Sequence, residues 1–207
     1  MEIIKKMSFT KNVFINCPLD NEYIPLLKCL LFTIKKIGLN PRLALERHDS
    51  GEIRLQKIKQ LIEESKYSIH DLSKVIAEKK GDFFRLNMPF ELGLDLGCRD
   101  YHSEEKYRNK KFLIIEKEKY TTQKALSDLS FADCKYHKNE PEEMVYEVRT
   151  WFVETGLKKI NSASSIWDEY NYFYTNLFQE KKSEGFTKKD IERISVPEFL
   201  DFISEKI

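Results

Sequence analysis

What most constrains this chain is a repeated beat: short apolar runs, each closing on polar residues and each followed by a stretch with helical spacing. NVFINC (12–17) is β-branched and aromatic and stops at Pro18. PRLAL (41–45), YSIHDL (67–72), KFLIIE (111–116) and the weaker FADCKY (131–136) repeat the theme. Unbroken apolar runs of this length read as strands covered on both faces, since a half-exposed strand would alternate with polar residues. Between the first two, Ile24, Leu27, Leu31, Ile34 and Ile37 lie on one helical face, with Asp20 or Asn21 as cap and Gly38 as stop. Ile53, Ile58, Leu61 and Ile62 mark a second helix. A third opens at Asn87 or Met88 with Pro89 in its tolerant first turn, a short one falls within 120–129, and Met144, Val148, Trp151 and Phe152 define another. Strands alternating with helices require parallel pairing, right-handed crossovers and helices on both faces. The spacing therefore predicts an α/β fold, a flavodoxin-like or Rossmann-like parallel sheet of about five strands.

Beyond residue 156 the beat changes. Ser164 and Ser165 precede Ile166, Tyr170, Phe173, Leu177 and Phe178, an aromatic stripe at helical spacing. Thr187 with Asp190 and Ser195 with Glu198 have capping-box spacing. This predicts an α/β domain over 1–156 and a C-terminal helical extension over 157–207. The extension packs on the sheet domain, or offers its stripe to a partner protein or a second copy of the chain.

Charge narrows the function classes. Lys plus Arg total 35 against 34 Asp plus Glu, a net charge of +1, which argues against a nucleic-acid footprint. The four cysteines, Cys17, Cys29, Cys98 and Cys134, form no CxxC pair, so free thiols are expected rather than zinc or disulfides. No run is long enough to span a membrane, and residues 1–12 have charges but no apolar signal core. The expectation is a soluble, cytoplasmic protein.

Neither GxGxxG nor GxxxxGK[ST] is present, and there is no GxSxG or HExxH. Attention falls instead on the strand ends, because open α/β sheets bind ligands at the carboxyl edge where strand order reverses. Asn16 and Cys17 end the first strand, followed by Asp20. Arg42, Glu46, Asp49, Ser50 and Arg54 surround the exit of the second. His70, Asp71 and Ser73 end the third, and Asn87 and Glu91 follow on the next helix. Glu91 stands between Phe90 and Leu92, with Gly93 and Gly97 expected to admit another backbone closely. A carboxylate in such surroundings is unfavourable unless paired or used.

YSIHDLS and NMPFELGLDLG resemble the motifs of nucleoside 2-deoxyribosyltransferase-like proteins and their relatives, the TIR domains. Over nearly its whole length, through FINCPLD, PRLALE, DSGEIRLQKI and INSASSIWDEY, the chain also resembles a bacterial group of predicted nucleotide-binding proteins. The first resemblance implies cleavage or transfer at an N-glycosidic bond, with NAD or a nucleoside (mono)phosphate as substrate and no further cofactor. Glu91 would be the catalytic carboxylate. Asn16 and Asp71 would hold the ribose hydroxyls and the leaving base, Ser73 and Asn87 would be further substrate contacts, and phosphates would lie near Asp20 with Arg42 or Arg54. Such domains commonly serve as effectors in bacterial anti-phage defence.

Rival readings stand beside these. The chain can be a nucleotide-sensing module that signals through its helical extension without catalysis, or a structural subunit with a dead site. Glu91 can form an ordinary salt bridge, Asp71 can cap the following turn, Arg54 can be a surface residue, and His70 suits a structural hydrogen bond. Cys17 lacks an identifiable histidine partner for nucleophilic chemistry. Residues 74–86 are charged and suit a lid.

Overall fold

In the computed structural model, which describes residues 8–46, 49–75, 85–129 and 132–207, the apolar runs form one parallel sheet. Its strands are β1 (Asn12–Asn16), β2 (Asn40–Arg42), β3 (Tyr67–Asp71), β4 (Lys111–Glu116) and β5 (Lys135–Tyr136). Their order is β2-β1-β3-β4-β5, every pairing parallel, which is the flavodoxin-like arrangement. The helices are α1 (Ile24–Lys36), α2 (Arg54–Glu63), α3 (Asn87–Tyr101), the short α4 (Thr121–Ala125), α5 (Pro141–Glu154), α6 (Ala163–Ser183), α7 (Lys188–Glu192) and α8 (Val196–Lys206). The expected lid, residues 74–86, falls mostly outside the described residues.

Strand parity sorts the core. Val13, Ile15, Tyr67, Ile69, Leu113 and Ile115 face α1 and α5 in the largest apolar cluster. The intervening residues face the other way: Phe14 meets Ile58, Leu61 and Ile62 of α2, while Ile114 joins Met88 and Leu92 of α3. Both faces are covered, as the unbroken apolar runs required. The C-terminal stripe enters the largest cluster as well. Ile166, Tyr170, Phe173 and Leu177 of α6 and Phe199, Phe202 and Ile203 of α8 are buried there with residues of α1 and α5. Each large side chain so buried stabilises the fold by about 1.5–3 kcal/mol. The extension is thus packed on the sheet domain through a shared core.

Local details depart from the sequence reading in instructive ways. The second strand ends at Arg42, and Ala44–Glu46 form a 3-10 turn, because the Arg42 guanidinium folds back onto Glu46 and the Leu43 N–H points to the same carboxylate at 3.4 Å. Helix α1 begins at Ile24, later than a cap at Asp20 or Asn21 implies. Asp20 instead accepts the Tyr23 N–H at 3.1 Å and caps the turn before the helix. Gly38 ends α1 with φ +80°, as expected. The cap of α6 is Ser162, which accepts the Ser165 N–H. Thr187 and Asp190 form the full reciprocal capping box. Gly93 and Gly97 do not mediate a close backbone approach: a Cβ on either would meet no described atom within 4 Å. No helix among the described residues is long and apolar enough to cross a membrane.

Candidate functional site

The strand order reverses between β1 and β3, and the residues at that point are polar and buried. Asn16 pairs in register with His70, and Asp71 follows immediately. Helix α3 crosses above: Asn16 Nδ2 donates to the Met88 carbonyl at 2.8 Å and to His70 Nδ1 at 3.0 Å. Both amide hydrogens of Asn16 are used, so His70 Nδ1 is an acceptor and its Nε2–H points the other way, to Asp95 Oδ2 at 3.2 Å. Lys110 Nζ closes the chain, 3.1 Å from Asp95 Oδ1 and donating to the carbonyls of Ile62, at 2.7 Å, and Ser65. His70, Asp95 and Lys110 are nearly sealed from solvent. Burial pushes the Asp95 carboxyl up, but its His70 hydrogen bond and the Lys110 charge outweigh this and hold it below the usual range.

Asp71 centres a second network. Its Oδ2 accepts the Tyr23 hydroxyl at 2.7 Å and His137 Nε2–H at 3.0 Å, while Oδ1 accepts the Ser73 N–H at 2.9 Å. Ser73 Oγ lies 2.9 Å from the same His137 nitrogen. Serine, histidine and aspartate are therefore in contact, yet the wiring excludes a hydrolase triad. There the acid and the nucleophile occupy opposite ring nitrogens. Here both face Nε2, and Nδ1 accepts the Asn139 N–H at 3.0 Å. No nitrogen is left to take a proton from Ser73.

Glu91 differs from both. It lies on α3 one helical turn from Asp95, its residue 6% exposed. Among the described residues its ion-pair partner is Arg54, more than half exposed, with Nη2 at 3.6 Å. Burial raises the Glu91 carboxyl above the ordinary range, and Arg54 only partly offsets it. Cys17 reports the same local field. Its thiol is driven well up by burial and then by Asp71, Glu91 and Asp20. Burial above all therefore keeps Cys17 a thiol, unfit as a thiolate nucleophile.

No family model and no curated protein matches the chain.

The structure brings Asn16, Asp71, Glu91 and Cys17 to one edge. Asp20 joins them beside Tyr23 and lies 3.6 Å from Arg85. Ser73 is there as a partner of His137. Asn87 is exposed at the first turn of α3. Arg54 reaches the edge only as the partner of Glu91. Arg42 is directed elsewhere, bound by Glu46 at 2.8 Å and Glu64 at 2.9 Å, the latter just before β3 begins. Asp71 is 0% exposed with both oxygens engaged, which suits positioning of Tyr23 and His137 rather than contact with a ligand. Sequence reasoning missed Tyr23, His137 and Lys110. Their only signal was polarity next to a strand or a helix start, a signal that many surface residues share. Among the described residues no group of three or more His, Cys, Asp or Glu could hold a metal ion.

Proposed function

We propose that the edge around Glu91 is a nucleotide-processing site that cleaves or transfers at an N-glycosidic bond. One observation carries the reading. Glu91 is a buried carboxylate that, among the described residues, is compensated only by an exposed arginine at 3.6 Å, at the place where α/β sheets bind ligands. A ribosyl centre developing positive charge is the partner such a group lacks. As the C1′–N bond breaks, its electron pair leaves on the base, and a Glu91 oxygen stabilises or bonds C1′. Water then delivers hydroxide to C1′, and where Glu91 had bonded C1′ that bond breaks with its electron pair returning to the carboxylate. The proton of the water goes to the departing base of a nucleoside, or to solvent when neutral nicotinamide leaves NAD. Desolvation strengthens the carboxylate's interaction with that cation. Arg54, paired with Glu91 from an exposed position, is placed to exchange this partner for a substrate phosphate. NAD and nucleoside monophosphates fit this chemistry, and an effector role in anti-phage defence is the biological setting proposed with it.

The test is incubation of the protein with NAD and with nucleosides and their monophosphates, followed by chromatography for free base. Release of base that Glu91→Gln abolishes supports the enzyme. A second reading is favoured by the complete internal engagement of Asp71, the other carboxylate expected to hold sugar hydroxyls. On that reading the edge binds a nucleotide and signals without cleavage. Saturable binding by calorimetry with the base still attached after overnight incubation selects the sensor.

A further inference from the structure

A cleft lies away from the strand edge, where the C-terminal helices meet α1. It has a volume of about 580 Å³ and opens between Ile24 and Pro25 on α1, Tyr170 and Tyr174 on α6, and Lys189 and Arg193 at α7. Lys28 forms its floor and is only 6% exposed. Its ammonium lies 5.2 Å from the centre of the Tyr174 ring and 5.7 Å from that of Phe199. It donates to the Tyr174 hydroxyl at 3.4 Å and to the carbonyls of Ile191 and Glu192 at 3.3 and 3.4 Å. All three are long for charged hydrogen bonds.

What Lys28 lacks is a counter-ion. Among the described residues no carboxylate oxygen comes within ion-pair distance of its Nζ. The nearby Glu192 is instead 3.7 Å from Lys188 on the exposed side of α7. The other buried lysines among the described residues are compensated: Lys110 meets Asp95 at 3.1 Å and Lys57 meets Glu52 at 3.2 Å. A buried charge without a partner is costly, and the group then either loses its proton or recruits an opposite charge. Burial lowers the Lys28 pKa and the more distant Glu192 charge only partly offsets it, in keeping with an ammonium short of compensation. The rim adds Lys189 and Arg193, giving the cleft three cations against the single carboxylate of Glu192.

We propose that this cleft binds a phosphorylated small molecule, its phosphate on Lys28 and its apolar or planar body against Tyr174, Ile24 and Pro25. Phosphate supplies the missing anion and accepts shorter hydrogen bonds than the two carbonyls do. Lys189 and Arg193 reach it from the exposed rim and contribute less. The site is separate from Glu91 and does not depend on cleavage chemistry.

Calorimetric titration of the full chain with phenyl phosphate and with inorganic phosphate, in low salt, tests this. Phenyl phosphate should bind more tightly than inorganic phosphate. Lys28→Met should weaken it by about tenfold or more, the loss expected for one charged hydrogen-bond donor. Lys189→Ala and Arg193→Ala should each weaken it only a fewfold, and Glu91→Gln should leave it unchanged. Without ligand, Lys28→Met should melt at or above the wild-type temperature, because a poorly compensated charge has been removed. No binding by wild type at millimolar ligand overturns the proposal, as does undiminished binding by Lys28→Met. A ligand-free Lys28→Met that melts lower or fails to fold also overturns it, by showing that Lys28 is a structural cap for the α7 carbonyls.

Discussion

Asp95 and Glu91 are both carboxylates on α3, four positions apart and both buried, yet the protein treats them oppositely. Asp95 has His70 and Lys110 within 3.2 Å, both with almost no solvent exposure. Glu91 has one exposed arginine at 3.6 Å. Burial acts on both, but the Asp95 carboxyl ends below its usual range and the Glu91 carboxyl above it. The lesson is that burial alone does not mark function. A buried charge whose field is closed internally contributes to the fold, whereas one whose field is only partly closed is the better candidate for a ligand contact.

The hardest way to break the comparison is to open the closed cluster. Asp95→Asn leaves Lys110 buried without its counter-ion and should destabilise the protein by about 3–5 kcal/mol in urea unfolding. A loss under 1 kcal/mol would mean that Asp95 is no better compensated than Glu91. Next in size, Tyr23→Phe removes a hydroxyl donor to a buried carboxylate and should destabilise by about 1.5–3 kcal/mol.

Acid separates the two carboxylates by sign. The folded Asp95 has a lowered pKa, so its stabilisation is present above the unfolded value of 3.8 and is lost as pH falls through the lower folded value. The folded Glu91 has a raised pKa, so the folded state binds that proton more tightly and stability declines as pH rises above 4.5 through the folded value. Glu91→Gln should therefore melt at or above the wild-type temperature at neutral pH while losing any turnover. A clear fall in melting temperature would make Glu91 structural after all. The smallest expected effect is Arg54→Ala. Arg54 lowers the Glu91 pKa, so its removal should shift the acid limb of activity to higher pH, by well under one unit because the arginine is mostly exposed. A shift to lower pH would contradict the pairing.

The alternation of runs and helices made the parallel sheet legible, because coverage on both faces leaves a compositional mark in every strand. NVFINC and KFLIIE became β1 and β4 with nearly the boundaries read from sequence. PRLAL was shortened because Arg42 found Glu46 and Glu64, and the polar attraction that turned the chain is invisible to apolar periodicity. The site was half legible. Asn16, Asp71 and Glu91 could be named because strand ends and an acid among apolar neighbours are local features. Tyr23, His137 and Lys110 could not, because their meaning lies in contacts across 48, 66 and 15 positions of chain, to Asp71 and Asp95.

By itself the sequence determined the strand-helix rhythm, the parallel sheet and the positions where polar side chains would emerge from it. Those properties follow from hydrophobic burial and backbone geometry, which act between near neighbours in the chain. Only the tertiary structure decided which buried charges find partners. Electrostatic compensation inside a protein depends on distances of a few ångströms between residues far apart in sequence. For that reason Asp71 and Asp95 closed into networks, Arg42 turned away from the strand edge, and among the described residues Glu91 kept only an exposed arginine and Lys28 no carboxylate within ion-pair distance.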